Sequence, residues 1–305
     1  MAGVVVLVVA AAVGGVMLTR QHDPATPATP QAAAGIEFTG TYRADYGPGT
    51  DLEGRPASGA PATTSTWAVR STCGATGCVA TASNVSANGM VLLSSLVFDQ
   101  VAGSWLGVGL ASVDCNGPTE LFVVFTLQPR PDGTLSGETI RAASNSGCVV
   151  KRAVTFTRTG DPDVNRVPDP AVLPPRTVSP ARALHGRYHE STTFTNGNIV
   201  PGQDDLTVET DCLRTGDRCM GLFHAPDGVV TLVFGGGKWT RNEAGMTPCS
   251  GGGTAQITVT AEYPLPDRMD DPIALLTGRG TQHVAAGSAC SGGGDFVDTF
   301  ERTGD

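Results

Sequence analysis

Beyond the first 20 residues, no stretch of the chain keeps a helical hydrophobic period for long. Short runs rich in β-branched and aromatic residues recur instead, punctuated by Gly, Asn, Asp and Pro, the pattern of strands and tight turns. In the first half they are Phe38–Tyr46, Thr66–Cys73, Cys78–Ser83, Met90–Asp99, Ser104–Val113, Glu120–Gln128, Thr134–Ala143 and Val149–Thr157. Eight successive strands with short connections predict an all-β fold, either an antiparallel meander closed into a barrel or a β-sandwich. Alternation marks the inward face. Trp67, Val69, Ser71 and Cys73 share one side of their strand, as do Leu206, Val208, Thr210 and Cys212, while Thr207, Glu209 and Asp211 point away. Ile257, Val259 and Ala261 alternate with Gln256, Thr258 and Thr260, so these strands have one wet face.

The strand pattern occurs twice. Gly40–Thr41–Tyr42 matches Gly186–Arg187–Tyr188; WAVRSTC ending at Cys73 matches LTVETDC ending at Cys212; LVFD around Phe98, then Trp105, match LVFG around Phe234, then Trp239. The units close on FTRTGD (Phe156–Asp161) and FERTGD (Phe300–Asp305). Two tandem homologous antiparallel β domains are expected, residues 37–161 and 184–305, joined by a Pro-rich linker over 162–183.

The eight cysteines divide into matching fours: Cys73, Cys78, Cys115, Cys148 and Cys212, Cys219, Cys249, Cys290. Zinc sites place Cys at short fixed spacings with His partners, whereas here the first spacing changes between units and no His recurs. The set therefore reads as disulfides and an exported location. Three pairings per unit are open; the expected one joins first to second and third to fourth, because the first two flank a short turn.

Ala2–Leu18 carries no charge and spans roughly 26 Å as a helix, close to a bilayer core. It reads as an uncleaved transmembrane anchor over residues 1–20. A cleaved signal peptide competes, but Ala32–Ala34 lies far behind for a cleavage site. Residues 21–36 form a Pro/Ala/Thr stalk. Arg20 sits on the C-terminal flank, against the exported location, and an upstream basic flank lost from this reading frame would reconcile the two.

Composition narrows the function. Gly 40 and Pro 21 disfavour an all-helical protein, and 40% hydrophobic residues are enough to build cores. A net charge of -9 argues against nucleic-acid binding. No nucleophile elbow, HExxH, phosphate loop or kinase element occurs. Asp161–Asn165 starts like a calcium loop, but Arg166 and Val172 occupy positions that need Gly and Glu. His185 and His189 flank Tyr188 on a strand, about 13 Å apart, too far for one metal. The glycine runs at 235–237, 251–253 and 292–294 read as turns or bulges, Asp204–Asp205 and Asp270–Asp271 as solvated charges, and Trp105 and Trp239 as core. No catalytic residue, metal ligand or cofactor is expected.

Two resemblances follow from these residues. The Gly-x-Tyr at Tyr42 and Tyr188, with Arg158 and Arg302 in the last strand of each unit, is similar to lipocalin-like (calycin) barrels, which implies that each Arg packs across its Tyr ring at the closed end. A surface Arg pairing with an Asp is the alternative. The anchor, stalk and paired cysteine elements resemble the extracellular part of actinobacterial, particularly mycobacterial, transmembrane Ser/Thr kinases. That implies a sensory ectodomain without kinase activity. The expected function is a non-enzymatic, membrane-anchored extracytoplasmic sensor that binds a small apolar ligand or an envelope protein. The alternative is a structural or interaction module with packed cores. An interior cavity of several hundred Å³ separates the two.

Overall fold

The computed structural model describes residues 37–75, 77–86, 92–115, 117–197, 199–200, 206–225 and 228–305. The expected anchor, the stalk, Met90 and Asp204–Asp205 lie outside the described residues. Strands β1 (Gly40–Tyr46), β2 (Thr63–Gly74), β3 (Gly77–Asn84), β4 (Ser95–Val101), β5 (Ser104–Asp114), β6 (Pro118–Pro129), β7 (Leu135–Ala143) and β8 (Val150–Gly160) pair antiparallel in chain order, and β8 closes on β1. This is a closed eight-stranded barrel, so the sandwich alternative falls. The second repeat follows the same plan with β9 (Gly186–Phe194), β10 (Ile199–Val200), β11 (Leu206–Cys212), β12 (Cys219–Ala225), β13 (Gly228–Gly235), β14 (Lys238–Pro248), β15 (Thr254–Pro264), β16 (Leu275–Val284) and β17 (Gly293–Gly304). Here β17 closes on β9, and two-residue β10 lies on the edge of β9. Among the described residues no helix is long and apolar enough to cross a membrane.

Turn chemistry sets the register. Gly236 and Gly237 (φ +61° and +83°) make the two-residue connection between β13 and β14 that requires left-handed backbone. Aromatic side chains fill the interiors. In barrel 1 the Phe38 ring lies 5.1 Å from Tyr42 and 5.4 Å from both Phe98 and Trp105. In barrel 2 Phe223 and Phe300 approach to 4.6 Å, and Trp239 is fully buried. The pairs Cys73–Cys78 and Cys212–Cys219 each bridge residues directly opposite in their hairpin. Cys115–Cys148 and Cys249–Cys290 tie the β5–β6 and β14–β15 turns to the turns preceding β8 and β17.

Strand β2 departs from the expected stripe. Its inward side ends at Val69, Ser71 is half-buried, Cys73 is exposed, and outward Ala68 is buried. The linker explains Ala68, because it lies against the outer face of β2 and β3. Thr81 Oγ1 donates to the Pro168 carbonyl at 2.6 Å, Ser83 Oγ to Arg166 at 3.0 Å, and Arg70 pairs with Asp169 at 3.0 Å. Three single-turn 3-10 helices in the linker are capped by Asp163, Asp169 and Ser179, so of the two aspartates in the calcium-like start Asp163 serves as a helix cap, while Asp161 pairs with Arg158.

The barrels also bury outer faces against each other. Phe122, Val124 and Ala142 of barrel 1 pack with Met220, Leu222 and Val233 of barrel 2 as a third apolar core. Asp99 pairs with Arg214 at 3.3 Å, Glu120 pairs with Arg218, and the Ser146 amide donates to Thr231 Oγ1 at 3.0 Å. Gly35–Asp305 is thus one compact, self-contained unit with its own cores and all four disulfides.

Candidate ligand site in the first barrel

The barrel 1 end where β1 finishes and β2 and β8 begin holds a cavity of about 550 Å³, within the range of small-molecule sites. Cys115–Cys148 joins two turns at this same end. Leu92, Leu93, Val123 and Phe125 give the cavity apolar walls. Trp67 Nε1 donates to Ser65 Oγ at 2.9 Å and Ser65 Oγ to the Tyr46 hydroxyl at 3.2 Å, so the polar edges of these aromatics are held by one another.

Two arginines complete the lining. Arg152, on β8, is only 8% exposed; its Nη1 donates to the carbonyls of Gly47 (2.9 Å) and Pro61 (2.6 Å), and its Nε has no partner. Arg141, on β7, has a buried Nε without a partner and no ion pair among the described residues. Burial first, then the neighbouring Arg152 charge, lowers the Arg141 pKa, and Tyr46 opposes them. Thr139 stands opposite Arg152 in the sheet, fully buried, with Oγ1 unpartnered. Among the described residues no Asp or Glu lines the cavity.

The stretch that builds this cavity also carries the family signal. Residues 35–172 match the PknI serine/threonine-protein kinase sensor domain. The expected resemblance to mycobacterial Ser/Thr kinase ectodomains is therefore shown for barrel 1 and the linker segment packed on it. The matched family is the sensor domain of a kinase, not its catalytic domain. The monomer form of the M. tuberculosis PknI sensor domain is 27% identical, over 46% of this chain and 100% of that one, with TM-score 0.38. Its dimer form is 26% identical, over 37% and 82%, with TM-score 0.32. A Nostoc punctiforme protein of unknown function is 13% identical, over 87% and 96%, with TM-score 0.22. No curated protein matches the chain. The PknI sensor match ends before β9, so barrel 2 lies beyond it.

Barrel 2 has a different interior at equivalent positions. Counting from the shared closing hexapeptide and sheet register, Arg141 and Arg152 of barrel 1 correspond to Gln282 and Phe296, and Phe125 to Ala261. Conversely, Ala44, Gly107 and Val154 correspond to Glu190, Arg241 and Asp298. These three charges meet inside barrel 2. Arg241 contacts Glu190 at 3.0 Å, Glu243 at 2.8 Å and Asp298 at 3.5 Å, and Asp298 accepts from Tyr263 (2.7 Å) and Thr192 (3.0 Å). Burial, reinforced by Asp298, pushes Glu190 up to about 6 against the pull of Arg241. Burial also raises Asp298 and Tyr263, while the surrounding acidic groups hold the Arg241 proton more tightly despite its burial.

Tyr42 lies opposite Arg158, and Tyr188 opposite Arg302, in the strand pairing that closes each barrel. Each Arg pairs with the closing Asp of its hexapeptide, Asp161 or Asp305. A Cβ on Gly40 would sit 2.7 Å from Arg158 Nε, so glycine lets the guanidinium stem cross the strand. Tyr188 donates to the Ile273 carbonyl at 2.7 Å, and burial lifts its pKa to about 12. His185 bonds Asp271 at 2.9 Å, giving that loop charge a partner. No group of three metal-ligating side chains occurs among the described residues. Sequence reading passed over Arg141, Arg152 and the Arg241 network. Their signal was charge at inward positions of alternating strands, where the other repeat has neutral residues.

Proposed function

We propose that this chain is a non-enzymatic, membrane-anchored extracytoplasmic sensor whose first barrel takes up a small ligand and whose second barrel braces the first. The match of residues 35–172 to a kinase sensor domain carries the reading. Four disulfides support an oxidising, exported compartment, and residues 1–20 supply the anchor. The cavity of about 550 Å³ supports ligand binding over a packed scaffold. The alternative, a structural module with a filled core, fits barrel 2, whose interior is occupied by the Arg241 network. Ligand uptake by barrel 1 is the sensing event, and the face docked to barrel 2 is a route by which a change in barrel 1 reaches the rest of the molecule.

Titration of Gly35–Asp305 with the neutral fluorophore N-phenyl-1-naphthylamine tests the binding step. The expected result is a saturable, one-to-one rise in emission that Val123→Trp, which fills the cavity, abolishes while all four disulfides stay formed. No saturable rise, or an equal rise in Val123→Trp, overturns the reading.

A further inference from the structure

The geometry points to an amphiphilic acid as the ligand class: one carboxylate or phosphate monoester head on an apolar tail, the head held between Arg141 and Arg152. This rests on the reading of the barrel 1 cavity as a ligand site. Two guanidiniums share that cavity, and among the described residues no carboxylate stands in its wall. Among the described residues Arg152 is neutralised by no anion and only hydrogen-bonded to two carbonyls, and Arg141 has no partner. Buried cations are ordinarily paired, because desolvating a charge without compensation costs several kcal/mol. The unpartnered Nε atoms of both arginines and the free Thr139 hydroxyl are three polar groups gathered on β7 and β8. Of the three, the two arginines line the cavity, and an acid head is the chemistry that satisfies them, since a guanidinium fork matches a two-oxygen anion.

The fold does not need these charges. At the same places barrel 2 has Gln282 and Phe296 and still closes. The cationic pair is therefore particular to the barrel that also carries the cavity. Leu92, Leu93, Val123 and Phe125 face the remaining volume and suit a hydrocarbon tail rather than a free inorganic anion or a sugar.

Calorimetric titration of Gly35–Asp305 with decanoate, decyl phosphate and 1-decanol, tails matched and heads varied, tests this. Wild type is expected to bind at least one of the two acids about tenfold or more tightly than decanol, and the tighter acid tells carboxylate from phosphate. Arg141→Gln, the residue barrel 2 carries, is expected to bring acid and alcohol within about twofold while decanol binding persists, which shows that the cavity is intact. Equal affinity for acid and alcohol in wild type, or an unchanged preference in Arg141→Gln, overturns the acid class and leaves the ligand site standing. If none of the three binds while the neutral fluorophore does, the amphiphile class falls alone. If nothing binds, the ligand-site reading falls with it.

Discussion

Arg241 is the single cation among three carboxylates inside barrel 2, so its removal is a sharp test of how that interior is held. Its guanidinium lies 3.0 Å from Glu190, 2.8 Å from Glu243 and 3.5 Å from Asp298. At about 3 Å and an effective dielectric of 20, each of the two close contacts is worth roughly 5 kcal/mol of gross attraction. Desolvation offsets much of this, and breaking one side of a buried pair costs about 3–5 kcal/mol net. Arg241→Met keeps the side chain's length and removes its charge, so it is expected to lower unfolding free energy by that amount at pH 7.5. Urea denaturation is the suitable assay, because urea does not screen charge, with tryptophan fluorescence reporting Trp239 inside the barrel. At pH 5 the deficit is expected to shrink by about 1–2 kcal/mol, since Glu190 is already lifted to about 6 and takes up a proton instead of standing as an unpaired anion. A loss below about 1 kcal/mol at pH 7.5, or a deficit independent of pH, refutes this account of the network.

In the native protein the Glu190 pKa stands near 6 against an ordinary 4.5, so the folded state binds this proton more readily than the unfolded one. Its contribution is unfavourable above pH 6 and is relieved as pH falls toward 4.5, by about 2 kcal/mol; Glu190→Gln should remove that part of the pH dependence in urea melts. Leu222→Asp places an unpaired carboxylate in the apolar face between the barrels, and calorimetry should split one unfolding transition into two as the barrels undock. Removing Cys115–Cys148, with a sequence separation of 33, should cost about 3.5 kcal/mol, against about 2 for Cys73–Cys78 with a separation of 5. Denaturation of the double-alanine variants compares the two.

Barrel strands were legible because a period of two with Gly-rich turns is a local signal, and duplication confirmed it: Leu206–Val208 repeats the inward stripe of Trp67–Val69. Docking of the barrels left a trace as well. Leu121–Phe125 is apolar at five consecutive positions, all buried, where a strand with one wet face would alternate. The cavity was not legible, since it depends on which side chains meet across the barrel. Arg141 and Arg152 are eleven residues apart in sequence and meet only because β7 and β8 pair with Thr139 opposite Arg152. Likewise Arg241 gathers Glu190 and Asp298 from strands at opposite ends of the repeat, a contact that barrel closure creates.

The central claim is that ligand binding belongs to barrel 1. Methyl NMR of Gly35–Asp305 titrated with N-phenyl-1-naphthylamine tests it directly. Saturable shifts are predicted at Leu92, Leu93 and Val123, which line the cavity, with Leu232, Val259 and Leu276 of the barrel 2 core unmoved. Shifts centred on the barrel 2 methyls, or none at the barrel 1 mouth, would contradict it.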